Sequence, residues 1–447
     1  MKFRLIIFII LAVASSLRGE GHAKSSQQPG YEIRIRNFID SLWIIDTHEH
    51  LMDPEIIKKS YCLDFSMLFL QNGYDDLVSA GMPDSLFTVL FNEELTPAQK
   101  WKIINPYFQN TFNTSFSRII LSGIKNLYGV DDLNESTVDT LSDLIVKAYS
   151  TDWYGRILKD SCRIKYVIKD GEYMPGLDDT FRYEKRFDSW LTITSKYRVD
   201  SLAINQLDPI YTLKDFEKSL RSAFEKEVKK GMIAVKVFVA YYRTLNFENV
   251  EPVVANKVFR SLVNGDEDYV ITDKDAKPLQ DYMLHRLLDL AKEYKIPVAF
   301  HTGMQAGRGK QLDNSNPALM TDLFNQYPEV KFVLYHGSYP FGGELSALAK
   351  SFKNVYIDMN WAYSISPSYS ERFLNEWLET VPVSKIMAFG GDCMAVENTY
   401  SELKVAKRII TNVLCNKVRE GYFSERDAVE VARMILFENA SQLYNLP

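Results

Sequence analysis

The sequence predicts an α/β fold, a (β/α)8 TIM barrel carrying a helical insertion after its first strand. Eight short apolar runs recur along the chain, and amphipathic helical stretches separate most of them. Polar residues able to bind metal directly follow several of these runs, where a barrel gathers its chemistry. Between the first run and the second, over residues 51–160, helical periodicity appears in several pieces with no clear strand.

Composition permits one large domain and narrows the partners. With 447 residues, 46% hydrophobic and 25% charged, the chain can bury the core that a barrel of this size needs. Its formal charge of −6, without a basic cluster, argues against a nucleic-acid or anionic-membrane partner, because both select concentrated Lys and Arg. A small-molecule substrate is the expected partner, and a homo-oligomer is compatible with it.

The chain opens on Met1-Lys2-Phe3-Arg4, followed by an apolar run over residues 5–14 that gives way to Ser15 and Ser16. A basic start, an apolar stretch too short to span a bilayer and small residues for cleavage predict a signal peptide over residues 1–18. Residues 19–30, rich in Gly, Ser, Lys and Gln, read as a flexible leader in which His22 does nothing. The expectation is an exported protein, periplasmic or secreted, with no membrane contact once the signal is removed. The first cysteine, Cys62, lies too far downstream to be lipidated after such a cleavage. Export permits disulfides, yet Cys62, Cys162, Cys393 and Cys415 form no C-x-x-C pair, and free buried thiols are the expected state.

Residues 31–447 then make one barrel domain. Residues 31–41 have helical spacing through Ile33, Ile35, Phe38 and Ile39, and the first strand begins at Leu42. The insertion, residues 51–160, would cap the strand ends; its clearest helices cover 96–112, 115–128 and 136–149, the first opened by Thr96-Pro97. Further strands are expected at 164–168, 199–204, 233–240, 297–300, 331–335, 355–358 and 385–389. Helices at 216–229, 279–294, 318–327, 345–351 and 370–380 fall between them. Two more, 402–420 and 424–439, close the outside, the last on a capping box of Ser424 and Asp427.

The chemistry starts at His48 and His50, where the first strand ends. Side chains at i and i+2 leave a strand on the same face, so the two imidazoles can converge on one metal ion. His301, His336 and Asp392 each stand at the C-terminal end of a later expected strand. A barrel brings those ends onto one rim, so these five residues are expected to be neighbours. Imidazoles with one carboxylate suit Zn2+, as one ion or two, and Mn2+, Fe2+ or Ni2+ can fill such a site. His48, His50 and His301 are the expected ligands, with Asp392 touching metal and water as the base. His336 either completes a second metal position or works as acid and base toward substrate, and the second role is preferred. Lys236, inside the apolar fourth strand, is costly there unless paired or modified. It either bridges two metals as a carbamate or pairs with a carboxylate or substrate anion.

In this order, Asp46-Thr47-His48-Glu49-His50, the lysine strand, His301-Thr302-Gly303, His336-Gly337-Ser338 and Gly390-Gly391-Asp392 resemble the amidohydrolase superfamily, in its amidohydrolase-related (type 2) branch. The resemblance covers nearly the whole mature chain. Within it, His301-Thr302-Gly303 with Asn314-Ser315-Asn316-Pro317, and Tyr335-His336-Gly337-Ser338-Tyr339-Pro340-Phe341, are similar to the amidohydrolase-like domains fused to glutamine-synthetase-like domains in plants and fungi. Residues 113–129 of the insertion resemble those domains too and, more faintly, the uronate isomerases. The resemblance implies a metal-dependent barrel that hydrolyses a C–N or C–O bond, with some relatives acting as decarboxylases or isomerases.

Around the expected rim, Arg243, Arg308 and Arg118 are available to hold a substrate carboxylate through the planar guanidinium fork, with Tyr241 beside Arg243. Glu397 and Asn398 follow the eighth strand as outer support of the site. His285, amid leucines, reads as a partly exposed helix residue. The expected function is a metal-dependent hydrolase of a small carboxylate-bearing amide or lactone. A decarboxylase or sugar-acid isomerase on the same metal, and a non-catalytic binding protein, are the alternatives.

Overall fold

Strand β1 (Ile44–Glu49) is buried at all six positions, as a strand must be when helices cover a parallel sheet outside and neighbouring side chains fill the inside. The structure is a computed structural model that describes residues 30–60, 63–172, 179–206, 209–266, 268–307 and 309–447. The expected signal peptide, all but Gly30 of the leader, Cys62 and Arg308 lie outside the described residues. Seven parallel strands follow: β2 (Ile164–Asp170), β3 (Phe181–Arg186), β4 (Ala234–Val237), β5 (Val298–Phe300), β6 (Phe332–Leu334), β7 (Val355–Asp358) and β8 (Ile386–Met387). They pair consecutively from β1 to β8. Backbone bonds then draw the two ends together: Thr47 N donates to Phe389 O at 3.1 Å, His50 N to Cys393 O at 3.1 Å and Asp392 N to His48 O at 2.9 Å. The expected (β/α)8 barrel is the fold.

One strand is not where the apolar pattern put it. Residues 199–204 lie within the helix Lys196–Gln206, and its two buried side chains, Val199 and Leu202, stand three residues apart, as one helix face requires. The true third strand, β3, reads Phe-Arg-Tyr-Glu-Lys-Arg and is mostly charged. Pairing with β2 and β4 makes it a strand, and its charges are satisfied rather than exposed. Glu184 is fully buried among partners described below, and Arg186 Nε donates to both carboxylate oxygens of Asp170 at 2.8 and 2.9 Å.

The segment after β1 contains the helices Pro54–Ser60, Asn72–Ser79, Pro97–Phe108, Ser115–Tyr128 and Val138–Tyr149. Thr96 and Gln99 form a reciprocal capping box at the start of the third, whose Pro97 needs no amide partner. Phe65, Phe69, Trp101 and Phe108 pack edge to face inside this segment. Lys100 Nζ is buried with them, bonded to Asp64 Oδ2 at 2.8 Å.

Glu397 and Asn398 tie the inserted segment to the barrel. Glu397 accepts from the Tyr128 hydroxyl (2.6 Å), Trp153 Nε1 (3.0 Å) and the Tyr149 hydroxyl (3.3 Å), while Asn398 Nδ2 donates to Leu68 O at 3.0 Å. They clamp helices instead of backing the metal residues. His285 is likewise not a surface residue: it is buried, with Nδ1 at 2.9 Å from the Tyr327 hydroxyl and Nε2 at 3.1 Å from Glu248 O. Cys162, Cys393 and Cys415 are buried free thiols. Ser424 and Asp427 form the expected capping box. Among the described residues, no helix is long and apolar enough to cross a membrane.

Candidate metal centre at the barrel rim

His48 is the penultimate residue of β1, and its Nε2 lies 3.4 Å from Asp392 Oδ1. His50 Nε2 approaches the same oxygen to 3.0 Å. One donor atom from each of His48, His50 and Asp392 lies within 4.8 Å of the others. Donors about 2.0–2.1 Å from a tetrahedral ion stand roughly 3.3 Å apart, so this trio fits a divalent cation in both chemistry and spacing. A second trio, His48, Asp170 and Glu184, meets the same distance.

The loop after β8 is fixed by carboxylates beneath it. Glu49 accepts from Cys393 N at 2.6 Å and Thr399 Oγ1 at 2.8 Å, and Asp46 Oδ1 accepts from Gly391 N at 3.2 Å. A Cβ at Gly391 would sit 2.1 Å from Glu49 Oε1, so only glycine lets the loop come this close. Asp392 and His336 hold positive φ, 51° and 64°. Such backbone costs non-glycine residues energy and persists where the surroundings impose it.

Charge in the site follows these contacts. Burial and the Lys236 charge oppose protonation of His48, but the Asp392 and Glu184 carboxylates outweigh them and push its pKa up to about 9. Burial would raise Asp392, yet His48 and His50 hold it well below the usual carboxylate range. Burial pushes His301 and His336 down, so both rings are neutral. Lys236 is lowered by burial as well; its Nζ has no hydrogen-bond partner and sits 3.9 Å from the centroid of the Tyr335 ring.

His48, His50, Lys236, Tyr241, His301, His336 and Asp392 line one cavity of ≈ 210 Å³. His301 stands apart from the trio. Its Nδ1 is 2.8 Å from His336 Nε2 and its Nε2 is 2.8 Å from Met304 O, so it reaches Asp392 only through His336, whose Nδ1 lies 3.7 Å from Asp392 Oδ2. Tyr241 packs edge-on to His301 and accepts from Ala306 N at 3.0 Å. The arginine expectations do not hold in space. Arg243 is buried away from the cavity lining, its guanidinium spent on Asp281 Oδ1 (2.5 Å), Gln280 Oε1 (3.2 Å) and two backbone carbonyls. Arg118 is exposed on the helix Ser115–Tyr128 and lines none of this cavity.

Sequence reasoning missed Glu184, Arg186, Asp170, Gln71 and Asn72. Asp170 ends β2 and was findable by the same end-of-strand rule. Glu184 and Arg186 were hidden because β3 lacks an apolar pattern. Gln71 and Asn72 enter the cavity from the inserted segment, and nothing in their spacing marks them. Gln71 Nε2 donates to Asp392 Oδ1 at 3.1 Å, while its Oε1 and both amide atoms of Asn72 are buried without partners.

Comparison with known proteins agrees with this geometry. The family model described as Amidohydrolase matches residues 264–446, the part that carries His301, His336 and Asp392. Protein fluG of Emericella nidulans is 28% identical over 224 residues, 48% of this chain and 26% of that protein. A uronate isomerase of Nostoc punctiforme is 24% identical over 103 residues, 23% of this chain and 22% of that protein. The matches thus span about a quarter of the length of these curated relatives. The crystal structure of uronate isomerase from Thermotoga maritima superposes with a TM-score of 0.75 at 15% identity, covering 93% of this chain and 97% of that one. The Amidohydrolase match thus covers the C-terminal part of the barrel, residues 264–446, and the His301, His336 and Asp392 it contains line the same cavity as His48 and His50.

Proposed function

We propose that this protein is a metal-dependent hydrolase, exported through residues 1–18, that cleaves a C–N (amide) or C–O (lactone) bond of a small carboxylate-bearing substrate. The observation that carries the reading is the convergence of His48, His50 and Asp392 on one another beside the unpartnered Nζ of Lys236. Zinc is the ion this donor set would hold first, with Mn2+, Fe2+ or Ni2+ as substitutes. When bound, such an ion supplies Lewis acidity that brings the pKa of water from about 15.7 to about 7.

The chain's own groups then move the protons. Asp392, kept ionised by its two imidazole neighbours, takes the proton of the attacking water. His336, next to Asp392 Oδ2 and backed by His301, passes it to the leaving amine or alkoxide. Neutral rings relay protons because neither holds one tightly. Lys236 supplies charge for a substrate carboxylate; as a carbamate it would instead join a second ion, and intact mass distinguishes the two states.

One observation favours a second reading, a decarboxylase or sugar-acid isomerase. Two hydrogen-bonded imidazoles in the cavity wall, His336 and His301, suit proton movement between adjacent substrate atoms, and the Nostoc and Thermotoga relatives are named uronate isomerases. Turnover of N-acyl amino acids, lactones and uronates in water labelled with heavy oxygen decides. Label in the product supports hydrolysis; an isobaric product or loss of CO2 supports the second reading. Protein purified without chelator that contains no stoichiometric metal, and gains none on dialysis against Zn2+, would be a binding protein.

A further inference from the structure

We propose that the substrate has two parts: a head in the metal cavity, and a flat tail bearing a hydrogen-bond donor in a second pocket across Arg186 and Phe238. The head rests on the metal-dependent reading above; the tail rests on separate observations. The second pocket, ≈ 440 Å³, shares Arg186 and Phe238 with the metal cavity of ≈ 210 Å³. The metal cavity alone is smaller than the roughly 300 Å³ at which pockets for drug-sized ligands begin.

Arg186 and Phe238 form the rim that the two pockets share. The guanidinium is paired with Asp170 and lies over the Phe238 ring, 4.3 Å from its centroid. Two residues further on, Asp188 lines the second pocket and is only 5% exposed. Its Oδ1 accepts from Phe238 N at 2.9 Å, and its Oδ2 has no partner. A buried carboxyl oxygen without a partner is costly; a ligand hydroxyl satisfies it in either protonation state, and a ligand N–H does so once the carboxyl is ionised. Around it, Tyr197 and Tyr242 are 73% and 50% exposed, and Phe238 is half-buried. Aromatic side chains left open around a concavity with one convergent polar group suit a planar ring carrying a hydroxyl or amine. In hydrolysis the water oxygen bonds to the head, the bond to the tail breaks, and the tail leaves with a proton as amine or alcohol.

The test titrates zinc-loaded protein calorimetrically with two hydroxamates, acetohydroxamate and one bearing a para-hydroxyphenylethyl tail. The tail is expected to tighten binding about tenfold or more. Ser201→Trp, which fills the second pocket, should abolish that gain and leave acetohydroxamate affinity unchanged; Asn205→Trp is the alternative should the first variant not fold. A gain below about twofold, or a gain that survives the filling variant, overturns the proposal. If acetohydroxamate fails to bind, the metal reading fails separately. The second pocket is then judged by ligand-observed NMR with para-hydroxyphenylpropionamide: a signal lost in Ser201→Trp sustains it, and no signal or an unaffected one overturns it.

Discussion

Glu184 Oε1 lies 2.7 Å from His48 Nδ1, while Glu184 Oε2 accepts from the Tyr335 hydroxyl at 2.7 Å, with all three side chains buried. Glu184 therefore sets the orientation of the His48 ring and leaves Nε2 toward Asp392. Outer partners of this kind typically govern metal affinity by about 10–100-fold. Glu184→Gln is expected to weaken zinc binding by that order in a chelator competition, and equal affinity would show that the ring is held by something else.

Asp392→Asn should lower kcat by at least about a hundredfold, as loss of a positioned base does. Because Asp392 Oδ1 also stands beside both His48 and His50, zinc affinity measured on the same protein separates the base from the ligand role. Unchanged kcat would retire the assignment.

Asp188 gives a pH dependence away from the metal residues. Burial pushes its carboxyl up to about 7, against the opposing pull of the Phe238 amide and Arg186. Unfolded aspartate titrates near about 3.9, so between about pH 4 and pH 7 the folded state holds a proton that the unfolded state has lost, and stability falls as pH rises through that window. Asp188→Asn keeps an acceptor for Phe238 N and cannot ionise. Its stability relative to the parent should rise across the window and level off above it, read by urea unfolding. Parallel profiles for the two proteins would contradict the buried acid.

Gln71 holds φ 67° at the head of the helix Asn72–Ser79 and donates to Asp392. A carboxylate only accepts, so the Gln71 amide is oriented with Oε1 left over, next to the unpartnered Asn72 amide. Asn72→Leu should raise KM by about tenfold with little change in kcat if these amides hold substrate in ground and transition states alike. An unchanged KM on the substrate found in the labelled-water assay would show that they do not.

The Lys100–Asp64 pair tests the inserted segment. Lys100→Met leaves the Asp64 carboxylate buried without its cation, which typically costs about 3–5 kcal/mol. Adding Asp64→Leu should recover most of it, and equal stabilities for the single and double variants would refute the coupling.

Where apolar rhythm and chemistry coincided, the sequence was readable. β1, β2, β5, β6, β7 and β8 lie at or within a residue or two of their apolar runs, and His50, His301, His336, Trp361 and Asp392, which follow β1, β5, β6, β7 and β8, line one cavity. Where charge did the structural work, it was not. β3 is a strand because its neighbours pair with it, and Glu184 and Arg186 are tolerated there because His48, Tyr335 and Asp170 answer them. The apolar spacing of residues 199–204 fits a strand and a helix equally, and packing against the barrel selected the helix.

The sequence alone determined the alternation of strands and helices and which strands end in histidine or aspartate, because both follow from side-chain periodicity along a local stretch. Tertiary structure alone decided what those side chains touch. His301 turns to His336 and Met304 instead of joining His48, His50 and Asp392; Arg243 goes to Asp281; and Gln71 and Asn72 arrive from the inserted helices. Each choice is set by buried donors and acceptors that must find partners across long sequence separations, a constraint that appears only once the barrel has closed.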